Sequence, residues 1–553
     1  MPATTSATQY TIEIEGSELA DDVKAQVESV LVVDRMAMPD TFTVVFRDPD
    51  CNVVGRAGIE VGNAVKISAA LTEDSAEPLI TGEVTSIEAD YDALGTRAVV
   101  RGYDRSHRLA AGRKTATFQN VKYSDIASQI ASDAGLSADC DDSGTAVDHV
   151  MQANQSDLDF LYALAREIGF ECRVDDETLL FKNPAETSGA PSAGDFDSED
   201  AKALVWKHNL IEFRGRMSAV AQVTDVQVRG WDPKEKAVVI GQADASATNA
   251  KISMSPGDLA DKVGGESMTV VNHPVAAQDP ADALAKARVE QVGSAAFEAT
   301  AVVTGSPTLK AGTAVSISGV DPALEGDWVI SGTRHEFGGS SYKTHLEFNG
   351  RQDRSFSGLV TQGGGQSDRF FGVVIGVVTD NDDPDQFGRV KVKYPWLADD
   401  AESWWARVMA PGAGKDYGVI WLPQVGDEVL VAFEHGDTNF PFVLGGLWNG
   451  KDTIPFDYGA GLDNGSVTTC GFVSRKGHKV TFTESSSESS IVLDTEGSAV
   501  TITLDEQNKV LEIKTSGKVT INADQDIEIK AGGSMKLEAT GQMTIKGATV
   551  AIN

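Results

Sequence analysis

Five consecutive rows, LEIKTSGK (511–518), VTINADQD (519–526), IEIKAGGS (527–534), MKLEATGQ (535–542) and MTIKGATV (543–550), repeat with a period of eight residues. The first column reads Leu511, Val519, Ile527, Met535 and Met543, and the third Ile513, Ile521, Ile529, Leu537 and Ile545. Columns two and four hold Glu, Lys, Thr or Asn, and column five a small residue or Thr. Alternation within a row puts the two apolar columns on one face and the charges on the other, as in a short half-buried strand. The small residue and the Gly, Ser and Asp that follow it turn the chain into the next row. A fixed period of this kind marks a β-helix or solenoid.

One chain supplies too little of such a stack. Five rows folded as a three-sided coil complete fewer than two turns, whereas repeat stacks need about three repeats and caps. Three chains winding together solve this, each giving one face per level, and at about 4.8 Å per strand five rows build a rod roughly 25 Å long. A monomeric β-sandwich meander is the alternative, but it has no need of identical spacing. The alternation runs on through Val550, Ala551, Ile552 and Asn553, and a bare apolar strand end of this kind is expected to dock a partner. The preceding HKVTFTESSSESSIVLDTEGSAVTITLDEQN (478–508) alternates without strict register. It reads either as the wider upper part of the rod or as hairpins leading into it.

The whole chain has 553 residues, 82 acidic against 47 basic, for a net charge of −35. Such a surface repels phosphate backbones, so nucleic acid is excluded as a partner. Neither a secretory signal nor an apolar run of about 20 residues is present, so synthesis in the cytoplasm is expected. Cys51, Cys140, Cys172 and Cys470 are too far apart for a metal knuckle and are expected to be reduced, mostly buried thiols.

After GGGQSD (363–368), a flexible joint by composition, strands are expected at 370–379, 388–394, 404–409, 427–434 and 441–448. Asp-Pro, Pro-Gly and Gly-Asp turns lie among them, which suits a five-stranded OB-like barrel. DPDQFGRVKVKYPW (383–396), WWARV (404–408) and PQVGDEVLVAFEHGDTNFPFVLGGLWNG (423–450) resemble the barrel of VgrG proteins, found also in phage baseplate assembly proteins and contractile-injection spikes. Trp404, Trp405, Trp421 and Trp448 sit among apolar and acidic neighbours and are expected to be core or interface aromatics rather than an oligonucleotide platform.

Upstream, helices are expected at YSDIASQIASDAGL with Ser124 as N-cap, at 156–169 with Ser156 and Asp159 as a capping pair, and at 279–292. SDLDFLYALAREIGFECRVDDETLLFKN (156–183) and LKAGTAVSISGVDPALEGDWVISGTRHEF (309–337) resemble the hub of VgrG proteins and of phage late-control D proteins. The order is that of the family: hub (1–362), OB-fold barrel (363–452), then β-helical spike (453–553). The fold class is accordingly mainly β with some helices: an α+β hub, a five-stranded barrel and an intertwined triple-stranded β-helix.

No catalytic set emerges. GAGKD (412–416) has Met409 at the first glycine position of a phosphate loop and Asp416 in place of Ser/Thr. The motifs of zinc proteases and serine hydrolases are missing. His335 and His345, near Glu336 and Glu347, are expected at solvated strand ends rather than in a metal site. The roughly 60 residues between Gly450 and the first regular row leave no room for the lysozyme domain of some phage spikes, and no effector domain follows the rows. No catalytic residue, metal or cofactor is therefore expected.

The resemblance implies a non-enzymatic homotrimeric spike-hub at the tip of a contractile injection system. It would join tail tube and baseplate to the puncturing tip and carry a PAAR-repeat cap on residues 550–553. Effector cargo is a further partner open to it, the membrane is met only during puncture, and the assembled particle is the final location. Two alternatives stand beside this: a spike with a hidden cell-wall hydrolase, and a trimeric receptor- or carbohydrate-binding adhesin.

Overall fold

The structure, a computed structural model, describes residues 9–36, 38–70, 76–93, 95–192, 200–338, 341–351, 369–457, 459 and 461–552. The chain divides into two compact units, Met1–Leu447 and Trp448–Asn553. The expected joint GGGQSD lies outside the described residues. The fold is mainly β.

The first unit is organised by an eleven-stranded sheet. One half is built from strands between Gln9 and Asp104, the other from Leu210–Met217, Phe297–Thr304, Gly332–Gly338 and Ser341–Phe348. The halves meet where Gly332–Gly338 pairs antiparallel with residues 29–35. Alternation explains these strands: Val30, Val32, Phe42, Val44 and Phe46 are buried in one core while the intervening residues face outward. A second core gathers around the helices Tyr123–Asp133 and Asp157–Ile168. The third helix, Gln278–Ser294, runs slightly longer than expected.

Ser156 caps its helix as expected, accepting from the Asp159 N–H at 3.1 Å. Ser124 does not. The Lys122 position is the cap there, without a side-chain bond, and Ser124 instead exchanges hydrogen bonds with Ser143, whose hydroxyl accepts from the Ser124 N–H at 3.0 Å. A loop serine brought in by the fold outcompetes the local cap.

The barrel forms from Lys391–Lys393, Val373–Asp380, Glu428–Phe433, Pro441–Gly446 and Arg407–Val408, in that spatial order. Bridges Val390–Ala406 and Lys393–Glu402 link the two outer strands. Four strands fall within expected stretches, and Val373–Asp380 runs one residue beyond its own. The barrel core of Val378, Val392, Tyr394, Val429, Val431 and Val443 is completed by Met151 and Ala153 from the hub.

In the second unit, residues 469–515 form an antiparallel meander: Thr469–Val473, Lys479–Glu484, Ser489–Asp494, Val500–Asp505 and Val510–Thr515. Of the two readings of 478–508, the hairpins are the ones found. The row 511–518 is also not free to start a coil, because Val510–Thr515 is the meander's last strand, paired with Val500–Asp505. From residue 519 onward the rows lie outside any strand or helix of the chain itself, among the described residues.

Two more expectations are corrected and a third is narrowed. His335 is not solvated: it is 1% exposed, bonded to the Tyr342 hydroxyl at 2.8 Å and to Thr333 at 3.2 Å. Strand pairing across the seam buries it, while His345 lies further out, 3.4 Å from Glu336. Of the four free cysteines only Cys172 is buried, and Cys51 and Cys470 are exposed. Cys51 occupies a tight turn with φ 54°, and Cys470 lies on an edge strand of the meander. Trp421 and Trp448 are exposed on their own chain and so are not core aromatics, which leaves the interface half of the expectation.

The hub core contains buried groups of opposite pH response. Burial pushes the His335 imidazole down to about 3 and the Asp104 carboxyl up to about 6. Asp34 and Asp40 are also raised by burial. A histidine kept neutral contributes stability that is complete above its unfolded value of about 6.5 and is lost on acidification. A carboxyl kept protonated contributes stability that is complete below about pH 4 and is lost as pH rises through 6. Relative to wild type, His335→Gln should therefore gain stability by about 1.4 kcal/mol per pH unit below pH 6.5. Asp104→Asn should lose its relative disadvantage as pH rises from 4 to 7. Urea denaturation across that range reads both slopes, and parallel curves for wild type and His335→Gln would contradict the assignment.

Candidate functional site

The meander has one polar and one apolar face, and register makes the apolar one continuous. Phe472, Val480, Leu493, Ile502 and Ile513 are successive cross-strand partners, and so are Cys470, Phe482, Ile491, Leu504 and Leu511. The other face carries Gly471, Thr481, Val492, Thr503 and Glu512. Phe472, Ile491, Leu493, Leu504, Leu511 and Ile513 are exposed. No second layer of this unit covers them, although a sheet with one apolar face requires one.

The octad columns follow that face in the sequence. Leu511 and Ile513 belong to both meander and rows. Val519, Ile521, Ile527, Ile529, Met535, Leu537, Met543 and Ile545 are all exposed, Ile521 to 71% and Leu537 to 70%. Val550, Ala551 and Ile552 are exposed as well, Ile552 to 86%; Asn553 lies outside the described residues. The polar columns pair with themselves, as in Lys514–Glu512 at 2.7 Å and Lys530–Glu528 at 2.5 Å. Such solvated pairs add little. Covering the apolar columns would gain about 1–2 kcal/mol per side chain, on the order of 10 kcal/mol per copy before association costs.

Of the expected rod residues the meander register places Leu511 and Ile513 on the apolar face, beside eight that sequence reading missed: Cys470, Phe472, Val480, Phe482, Ile491, Leu493, Ile502 and Leu504. The missed signal was the turn lengths around SSSESS and TEGS, which bring the alternating positions of neighbouring strands opposite one another.

A second feature braces barrel to hub. The His149 ring nitrogen lies 3.2 Å from the Glu402 carbonyl, and the Met151 N–H donates to Asn439 Oδ1 at 2.9 Å. From His149 a ladder of rings and cations crosses the barrel. Trp404 stacks on His149 at 6.2 Å, Lys391 lies over Trp404 and Trp405 at 5.6 and 5.3 Å, and Arg389 stands between Trp405 and Phe387 at 6.0 and 5.2 Å. Trp404 and Trp405 are therefore interface aromatics, as expected.

Arg389 is fixed by Asp383 (2.6 Å) and Asp385 (2.7 Å). Burial alone would raise the Asp383 carboxyl, but hydrogen bonds from the Arg389 side chain and from backbone N–H groups outweigh it and hold it at about 2. These cations are already paired, which leaves the face without free charge for an anionic ligand. GAGKD is a hairpin, Ala413–Gly414 against Tyr417–Gly418, not a phosphate loop. Among the described residues no group of three or more His, Cys, Asp or Glu could hold a metal, and no helix is long and apolar enough to cross a membrane.

The family model described as the Alg8 N-terminal domain matches residues 4–338, more than half of the chain. The model of the type VI secretion system/phage-baseplate injector OB domain matches residues 374–448. The chain belongs to the Alg8 N-terminal domain family and is similar to VgrG spike proteins.

The actin cross-linking toxin VgrG1 of Vibrio cholerae is 26% identical over 335 residues, 55% of this chain and 29% of the relative. The spike protein VgrG5 of Pseudomonas aeruginosa is 44% identical over 77 residues, 13% of this chain and 10% of the relative. The chain thus matches less than a third of the length of these relatives. In fold it is similar to a chain of the half-lidded Francisella PdpA–VgrG complex, with a TM-score of 0.53 and 9% identity over 92% of this chain and 88% of that one.

The Asp383–Arg389 pair is the cleanest test of the barrel. Asp383 is 8% exposed, so Arg389→Met leaves a buried carboxylate unpaired and should cost about 3–5 kcal/mol. Asp383→Asn combined with Arg389→Met should recover part of that loss. Denaturant unfolding followed by tryptophan fluorescence measures both; equal losses in the single and double variants would show that the pair is not what holds the loop.

Proposed function

We propose that this hub works as a non-enzymatic homotrimer at the tip of a contractile injection system, joining tail tube and baseplate to the puncturing end. The observation that carries the reading is the uncovered apolar face running from Cys470 and Phe472 through the octad columns. Two further copies offer the cover it lacks, and strands shared between chains leave no edge to peel under load. Similarity to VgrG spike proteins and the match to the injector OB domain support the role at the tip, while tube, baseplate and effector partners belong to the proposal. So do the three-part division at 362/363 and 452/453, and assembly into a particle after synthesis in the cytoplasm.

Val550, Ala551 and Ile552, with Asn553, are the proposed seat of a PAAR-repeat cap. Val550→Glu with Ile552→Glu should abolish capture of such a protein while sparing the trimer. Undiminished capture would move the seat elsewhere.

The trimer has a native reporter. Cys470 is exposed in one chain but lies on the face to be covered, whereas Cys51 is exposed on the hub. Light scattering should give three times the chain mass, with Cys51 reactive toward a maleimide and Cys470 protected. Ile521→Asp with Ile529→Asp places carboxylates in the shared core at several kcal/mol each. That variant should lose the trimeric rod while residues 1–447 stay folded. A monomeric wild type, or trimers that retain an intact rod in the double variant, would refute the arrangement.

A further inference from the structure

Between the barrel strands Arg407–Val408 and Glu428–Phe433 the chain makes a short arm. Its hairpin pairs Ala413 with Gly418 and Gly414 with Tyr417. The return segment is pinned to the barrel. The Asn381 side-chain amide donates to the Pro423 carbonyl at 3.1 Å, and the Gly426 N–H to the Val378 carbonyl at 2.8 Å. One glycine is required here: at Gly418, with φ +151°, a methyl would sit 2.3 Å from the Gly412 carbonyl oxygen.

The backbone is thus held in place, yet its large side chains face away from the barrel. Ile420 is 90% exposed, Tyr417 73%, and Val419, Val425 and Met409 are exposed too. Residues 417–425, YGVIWLPQV, carry no charge in a chain that is 23% charged. A fixed arm presenting several hundred Å² of apolar surface, by rough reckoning, is what an interface presents and a free surface avoids.

We infer that this arm is a contact between sister copies, seated on the barrel of the neighbouring chain. The inference rests on the trimeric reading above. Two observations favour a second copy as occupant. Each copy carries a net charge of −35, so close approach of copies is least opposed where carboxylates are absent, and residues 417–425 are such a place. The barrel ends near Gly446 and the meander begins at Thr469, so the chain between them spans at most about 80 Å. Once three meanders share one core, their barrels are tethered at high effective concentration, and a contact too small to hold free copies together then suffices. In a closed ring each arm meets the same surface of its neighbour.

The test uses the purified full chain with p-benzoylphenylalanine in place of Ile420, a substitution the barrel tolerates because that side chain touches little of it. Irradiation should yield covalent dimers and trimers on a denaturing gel from a sample of trimeric mass by light scattering. Trimeric mass without crosslinks between copies overturns the arm contact and leaves the trimer standing. Monomeric mass overturns the trimer and the arm contact with it. Crosslinks that form only after a different protein, such as a PAAR-repeat protein, is added overturn the inference and assign the arm to that partner.

Discussion

A single layer of antiparallel strands with one apolar face cannot finish its own folding, and the second unit of this chain is such a layer. Its ladders are complete from Thr469 to Thr515, so the backbone is satisfied and the strands are rigid. The side chains are not: two rows of five, led by Phe472 and Cys470, face outward. Hydrogen bonding and hydrophobic burial are separated here, the first met within the chain and the second deferred. Nothing in the polar face offsets this, since its exposed Lys–Glu pairs contribute little.

The first unit stands in contrast, because its polar chemistry is spent internally. Asp383 and Arg389 fix the loop that carries Phe387, and the ladder from Phe387 to His149 joins barrel to hub through cations lying on rings. Met151 and Ala153 complete the barrel core from the hub side. Barrel and hub therefore share one hydrophobic core as well as hydrogen bonds, a stiffer joint than a linker alone provides. The proposed role at a puncturing tip would call for such stiffness.

What was legible in the sequence follows the range of the interactions. The octads and barrel strands show in short windows, because alternation and turn residues act over a few positions, and Ser156 reads as a cap because its partner is three residues away. Ser124 does not, since Ser143 reaches it through the fold. His335 reads as a surface residue until Gly332–Gly338 is paired with a strand some three hundred positions earlier. The meander's apolar face was half visible: the alternation was plain, but the cross-strand match of Leu493 with Ile502 and of Ile491 with Leu504 depends on turn lengths. The outward Cys470 departs from expectation for a related reason, as residue type predicts burial only when something is there to do the burying.

Leu511 and Ile513 show how the two levels are joined. They are the last strand of the chain's own sheet, opposite Leu504 and Ile502, and also the first row of the octads. Pairing within one chain is local and closes small loops, so the meander can form before any encounter between copies. The rows from 519 onward have no such support within the chain, and in the proposed trimer they gain it from neighbours. In the proposed assembly, three meanders would each present a first row whose register is already set by its own ladder. A slip of one residue at that row would turn Leu511 and Ile513 out of the shared core, and every later column with them. In that assembly the antiparallel sheet would set the register of the rod, which would give irregular hairpins a reason to precede a strictly periodic stretch.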